Sequence, residues 1–248
     1  IKAININEQI KEIIETLTKN SKKSSYIRDG FKPIIPQNTK VIDVLLDNEI
    51  LTINFSKELL NIDKDNEEKM IEAIIYSLTE IKEIKKIKIL VEKNPLTKLP
   101  NSQKKLPDYL DKNYGINKIY NLDSIKESTK TTIYYLSKFQ DYHYFVPVTK
   151  INNEKTEKVE IIIKELKSTP IYQTNLISYL AASANITNYE LLENGIKLSF
   201  NNYLIANIKE EEALEEVKYS IALSLRDTYG INEVIFSIPN NENTKISV

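Results

Sequence analysis

The chain has 248 residues, 41% of them hydrophobic, with 34 basic against 35 acidic side chains. That length suits two domains of ordinary size, each able to bury a core, and the balanced charge gives no global reason to expect nucleic acid or an acidic membrane surface as partner. The absence of cysteine excludes disulfides, thiolate metal sites and cysteine nucleophiles. Ile (39), Lys (32) and Asn (26) dominate while Arg28 and Arg226 are the sole arginines. All three have AT-rich codons, so this bias reads as genome composition and the lysines are not taken one by one as binding sites. No apolar run approaches the ~18 residues of a membrane helix. The chain opens on Ile1 and not on Met, so a preceding segment is expected and nothing follows about a signal peptide.

The first helix signal is Ile10, Ile13, Ile14 and Leu17, spaced i, i+3, i+4, i+7. Glu12, Glu15 and Lys19 fall on the opposite face, as on a surface helix with one buried stripe. Residues 41–55 (VIDVLLDNEILTINF) then predict a strand pair turning near Asp47-Asn48. Met70, Ala73, Ile74, Ser77 and Leu78 mark a second helix, whose start is crowded with Asp63, Asp65, Glu67 and Glu68, as the helix dipole favours. Ile87, Ile89 and Val91 close the unit as a strand. Residues 97–130 read as a polar linker, following the first module at 1–96; Pro100 and Pro107, with Pro95 just ahead, stiffen the connection. Gly115, Ile116 and Tyr120 indicate that part of it packs.

The second module, 131–248, repeats the pattern. Its helix signal is Val159, Ile162, Ile163 and Leu166, at an offset of 149. Ile196, Leu198 and Phe200 match Leu51, Ile53 and Phe55 at 145, after a turn at Glu193-Asn194-Gly195, where Asn-Gly is a hairpin signal because both residues tolerate positive φ. Val217, Ser220, Ile221, Ser224 and Leu225 match the second helix at 147, behind Glu210, Glu211 and Glu212. Val234, Phe236 and Ile238 supply the closing strand, and Gly230 is placed to cap the helix in the left-handed region. Residues 131–149 add a β-hairpin, with Ile133, Tyr135, Tyr142, Tyr144 and Val146 alternating. The first module has at most IKAIN before its helix, so about one hairpin of upstream sequence is expected to be missing from it. The fold class is α+β: tandem two-layer sandwiches, each two helices on one face of a three-stranded sheet, with the other face polar and open.

PIIPQNTKVIDVLLDNEILTINFSKEL (33–59), KIKILVEKNPL (86–96), LPDYLDKNYGINKIY (106–120) and IYYLSKFQDYHYFVPVTKI (133–151) resemble the GerMN domain family of sporulation and germination proteins. Two positions depart from the family pattern. Glu83 stands where a glycine is expected before the closing strand, and Lys93-Asn94 where one is expected after it. The resemblance implies a fold akin to the ring-building modules of secretion systems. It also implies an extracytoplasmic place, a membrane attachment only through an N-terminal lipoprotein anchor outside this chain, and a role in spore formation and germination. There such proteins would assemble beside the channel joining mother cell and forespore. The partners it implies are other sporulation envelope proteins or further copies of itself. The AT-rich composition fits a spore-forming Gram-positive source.

No catalytic, cofactor or metal residue is expected. His143, the sole histidine, lies between Tyr142 and Tyr144 in a hairpin and reads as a strand residue. Asp63-x-Asp65 lacks the glycine and spaced glutamate of an EF-hand loop and reads as a helix start. Four isolated glycines exclude a phosphate loop. Interface candidates remain: Tyr134, Tyr135, Tyr142 and Tyr144, because tyrosine gives large contact area at low entropy cost, and Thr52, Asn54, Lys86 and Lys88 on the open sheet face, whose edges another strand can join. A non-enzymatic scaffold is the first reading. The alternatives are a binding lipoprotein that takes a small ligand or cell-wall fragment between its modules and, third, a hydrolase using carboxylates.

Overall fold

The computed structural model describes residues 5–122, 127–168, 175–201, 204, 215–239 and 243–248. It divides into two compact units, Ile1–Ile116 and Asn117–Val248.

In the first unit, α1 (Ile6–Leu17) starts at Asn5, whose side chain accepts the Asn7 N–H. The stripe it buries runs through Ile10 and Ile14. β1 (Val41–Asp47) and β2 (Ile50–Phe55) form an antiparallel hairpin across a two-residue loop. Asn48 and Glu49 both have positive φ, 47° and 63°, which matches the loop to the right-handed strand twist. After α2 (Lys64–Leu78), β3 (Lys86–Val91) returns parallel to β2. Leu51, Ile53, Phe55 and Ile87 are fully buried, and Ile89 nearly so, against Ile10, Ile14, Met70 and Ile74 of the helices. This is the predicted two-helix, one-sheet core.

The sheet has four strands and not three. After β3 the chain turns through Glu92 and Lys93, both at positive φ, into β4 (Asn94–Pro95). Leu96 N–H then donates to Ile89 O, and Ile87 and Leu110 exchange both of their backbone hydrogen bonds at 2.8 Å. Residues 97–116, read from sequence as part of a linker, therefore belong to the body of the first unit. Leu99, Leu106 and Leu110 are buried in its core. These leucines are spaced seven and four apart, as on a helix face, but Pro100 and Pro107 rule out a helix through them, so the segment offered no regular element to read.

In the second unit, β5 (Ile119–Asn121), β6 (Thr129–Phe139), β7 (Tyr142–Asn152) and β8 (Leu176–Ile177) make one sheet in the order β5-β7-β6-β8. The predicted hairpin is its centre, with strands of 11 residues each. α3 (Lys158–Leu166) and α4 (Glu215–Tyr229) share a core with a second sheet. That sheet holds β9 (Ile186–Leu191), β10 (Gly195–Phe200), β11 (Glu233–Ser237) and β12 (Thr244–Ser247), ordered β12-β11-β10-β9. Again there is a fourth strand: β12 pairs antiparallel with β11 and buries Ile246. Gly230 adopts φ +68° and donates its N–H to Arg226 O at 2.7 Å, the expected left-handed cap. Glu210, Glu211 and Glu212 lie outside the described residues.

Gly195 plays a different part from the one its Asn-Gly sequence predicts. The loop residues are Glu193 and Asn194, and neither they nor Gly195 has positive φ. Gly195 is the first residue of β10 and lies beside Glu233 of β11. A Cβ there would sit 2.8 Å from Glu233 O and 2.6 Å from its Cγ. The glycine is there for close approach of two strands, not for the turn.

The departures at Glu83 and Lys93-Asn94 also have local causes. α2 ends at Leu78, earlier than its counterpart in α4 by the 147 offset, with Thr79 Oγ1 bonded to Ile75 O. The chain then turns through Ile81 and Ile84, and Glu83 needs no left-handed backbone. Lys93 does adopt one, at φ 68°. Its N–H is held at 2.9 Å by the side-chain oxygen of Asn54.

Candidate functional site

The four hairpin tyrosines divide by depth. Ile133, Tyr135, Ser137 and Phe139 pair across the hairpin with Val148, Val146, Tyr144 and Tyr142. Near the base this face is core: Tyr135 is fully buried. Its phenol donates to Glu165 of α3 at 3.4 Å, and Lys150 of β7 pairs with the same carboxylate. Burial, then the negative charge of Glu165, push the Tyr135 phenol far above the usual tyrosine range, so it stays protonated. Tyr134 is buried on the other face. Its N–H donates to Ser224 Oγ at 2.8 Å and its phenol to the Asp227 carboxylate, beside Arg226, whose Nη2 donates back to the phenol oxygen at 3.3 Å. Tyr134 and Tyr135 thus seat the hairpin on the helices and are not available to a partner. Tyr144 is half-buried, and Tyr142 is 61% exposed near the tip.

Phe139 and Tyr179 are also exposed, and His143, exposed as well, meets Tyr179 edge-on at 6.4 Å. Sequence reading missed Phe139 and Tyr179, because alternation locates a hairpin but not how far along it burial ends.

On the first unit's open sheet face, Lys86 is exposed and Thr52 and Lys88 are half-buried. Asn54 is 4% exposed and engaged with the Lys93 turn, so it too leaves the candidate surface. The acidic start of α2 is a helix N-terminus: Asp63 is the N-cap, although its side chain makes no capping bond. Glu67 turns inward and accepts the N–H groups of Asn101 and Ser102 at 2.8 and 2.9 Å. Burial pushes its carboxyl up, but these hydrogen bonds outweigh it and hold the group below the usual carboxylate range.

Among the described residues no cluster of His, Cys, Asp and Glu is arranged to hold a metal, and no helix is long and apolar enough to cross a membrane. One groove stands out, of about 460 Å³, between α3 and the edge strand β9 of the second unit. Ile163 and Ile186 give it apolar surface, and Glu160, Lys164, Lys167, Asn188 and Tyr189 line it with polar groups. Lys164 pairs with Glu154 at 2.9 Å, which raises its ammonium above the usual lysine range. Lys167 donates to the carboxamide oxygen of Asn185 at 2.7 Å.

Two α+β modules, matched strand by strand in their buried residues, are the setting for the comparisons with known proteins. The family described as "Germane: Sporulation and spore germination" matches residues 2–97. The solved tandem GerMN domains of the sporulation protein GerM from Bacillus subtilis superpose with a TM-score of 0.85 at 24% identity, over 94% of this chain and 83% of that one. The first module thus matches that family, and the chain as a whole is similar in fold to the tandem GerMN domains. The spore germination protein GerM of Bacillus subtilis (strain 168) is 26% identical over 230 residues, covering 90% of this chain. The chain spans 63% of that relative's length. These relatives carry the names of sporulation and germination proteins and not of enzymes.

Proposed function

We propose that this chain is a non-enzymatic scaffold in spore formation and germination, held outside the cytoplasm by an N-terminal anchor and acting through protein contacts. The observation that carries this reading is the likeness to GerM along 90% of the chain. Support comes from the way the two modules agree. They share buried spacing, as at Leu51, Ile53 and Phe55 against Ile196, Leu198 and Phe200. A module kept for its shape and contacts has that property. Its partners are other envelope proteins of the sporulating cell or further copies of itself, and ring assembly beside the mother cell–forespore channel follows if copies join head to tail.

Deletion in the source organism tests the reading. Vegetative growth is expected to be normal while the yield of germination-competent spores falls. Unchanged sporulation and germination, or a source that forms no spores, would overturn it.

A further inference from the structure

The open sheet faces of the two modules carry charge differently. In the first module the register sets three rows across β1, β2 and β3: Asp47, Ile50 and Lys86; Leu45, Thr52 and Lys88; Asp43, Asn54 and Leu90. All lie on the face away from the helices, since the alternate residues Leu51, Ile53, Ile87 and Ile89 point into the core. The acids therefore sit on β1 and the lysines on β3, roughly 10 Å apart with the uncharged β2 between them. Asp43, Asp47, Lys86 and Lys88 make no ion pair among the described residues. In the second module the open face neutralises itself: Glu190 of β9 stands directly opposite Lys197 of β10, and Glu233 of β11 pairs with Lys245 of β12.

A face with acids on one outer strand and lysines on the other is its own complement. A two-fold axis along β2 lays a second copy over the first, carries β1 across the second copy's β3 and keeps each row over its own row. Asp47 then faces Lys86 of the second copy, and Lys86 faces its Asp47, so the contact is isologous and every ion pair is made twice. Packed sheets lie about 10 Å apart with their strands nearly aligned, a gap that an aspartate and an extended lysine span together. Leu45, 61% exposed, covers the aliphatic stem of Lys88, and Thr52 meets Thr52 on the axis. The third row stays outside the contact, because the Lys93 turn covers Asn54 and Asp43 Oδ1 accepts the Val44 N–H at 2.9 Å.

We propose that the open sheet face of the first module is a self-association surface, on which a second copy of this chain docks sheet to sheet through Asp47 and Lys86. Charge complementarity selects the second copy, and the symmetry closes the contact at two. The face is three strands wide, about 14 Å, so the contact is of the weak class and forms where copies are held at high local concentration. The inference deepens the contact-surface reading by naming a partner and rests on it, but not on sporulation. The purified chain answers it whether or not deletion alters spores.

The test uses the full purified chain, with sedimentation at high protein concentration and chemical cross-linking. The native chain is expected to dimerise. Asp47→Lys and Lys86→Asp should each weaken the dimer about tenfold or more, because symmetry loses each pair twice and sets like charges against one another. An equal mixture of the two variants should dimerise again, since one then carries only lysines and the other only aspartates at the two positions. That rescue also shows that both variants fold. The chain has no cysteine, so Thr52→Cys puts a single thiol on the axis, and a short bismaleimide should join it to its equal in a second copy. Lys197→Cys, its counterpart at an offset of 145, should not cross-link. A native chain that stays monomeric overturns the proposal and leaves the face to a different partner. Dimers indifferent to Asp47→Lys, a mixture no better than either variant, equal cross-linking by Lys197→Cys, or growth beyond two copies overturn it as well.

Discussion

The two modules bury the same residues in their central strands and finish their sheets by different means. The parallel strand, β3 or β11, has an outer edge to seal in each. In the first module β4, Leu96 and Leu110 cover it, using chain that leads away from the sheet. In the second, β12 covers it as a regular antiparallel strand. The difference teaches that the repeated unit is the pair of helices and three strands. Edge closure is a separate task, solved locally, because an unpaired row of backbone groups has to be satisfied by whatever chain is at hand.

The sharpest way to break the comparison is in the shared core. Ile53→Ala and Leu198→Ala, matched at an offset of 145 and both fully buried, should each cost about 2–5 kcal/mol. Denaturant unfolding followed by hydrogen exchange should show each loss confined to its own module. Global unfolding from either would show that the units are not independent. Next in size is Asn54→Ala, expected to cost about 1–3 kcal/mol by leaving the Lys93 N–H without its partner. It should speed exchange in the Glu92–Lys93 turn and in β4, while the second module, which closes its edge with β12, is unaffected.

Gly195→Ala separates the modules in the other direction. It forces a Cβ against Glu233 O and should cost about 1–3 kcal/mol as overpacking between strands. Ile50, its counterpart at an offset of 145, already carries a Cβ, and Ile50→Ala should bring no such clash. If Gly195→Ala proves neutral, the close-approach account is wrong.

The smallest effect at neutral pH is acid sensitivity in the first module. Glu67 has its folded pKa lowered, so its contribution is present above the ordinary carboxylate range near about 4.3. It is lost as pH falls through the folded value. Acid titration of stability should therefore be steeper for the native chain than for Glu67→Gln. Early loss of exchange protection at Asn101 and Ser102 marks the site.

Much of this architecture was legible beforehand because it follows periodicity. The alternation of β2 and β10 buries the residues its spacing selects, the α1 stripe buries Ile10 and Ile14, and the hairpin at 131–149 forms where expected and buries its base at Ile133 and Tyr135. What escaped belongs to no regular element. Leu99, Leu106 and Leu110 join the core from an irregular segment held by isolated two-bond bridges and by Glu67. Of the interface candidates, Tyr134, Tyr135 and Asn54 are buried while Tyr142 and Lys86 are exposed. Residue type and alternation are alike for Tyr135 and Tyr142, and only the depth of the hairpin against α3 and α4 separates them.

The sequence by itself determined that two like modules follow one another and which side chains face inward. Hydrophobic spacing of 3.6 or 2 residues is a property of the chain before it folds. Tertiary structure alone decided which edges are closed. Whether the outer edge of β3 or β11 is covered depends on hydrogen-bond phase and on chain arriving from beyond the strand. The same holds for Gly195, whose reason is Glu233, 38 residues on and one strand over.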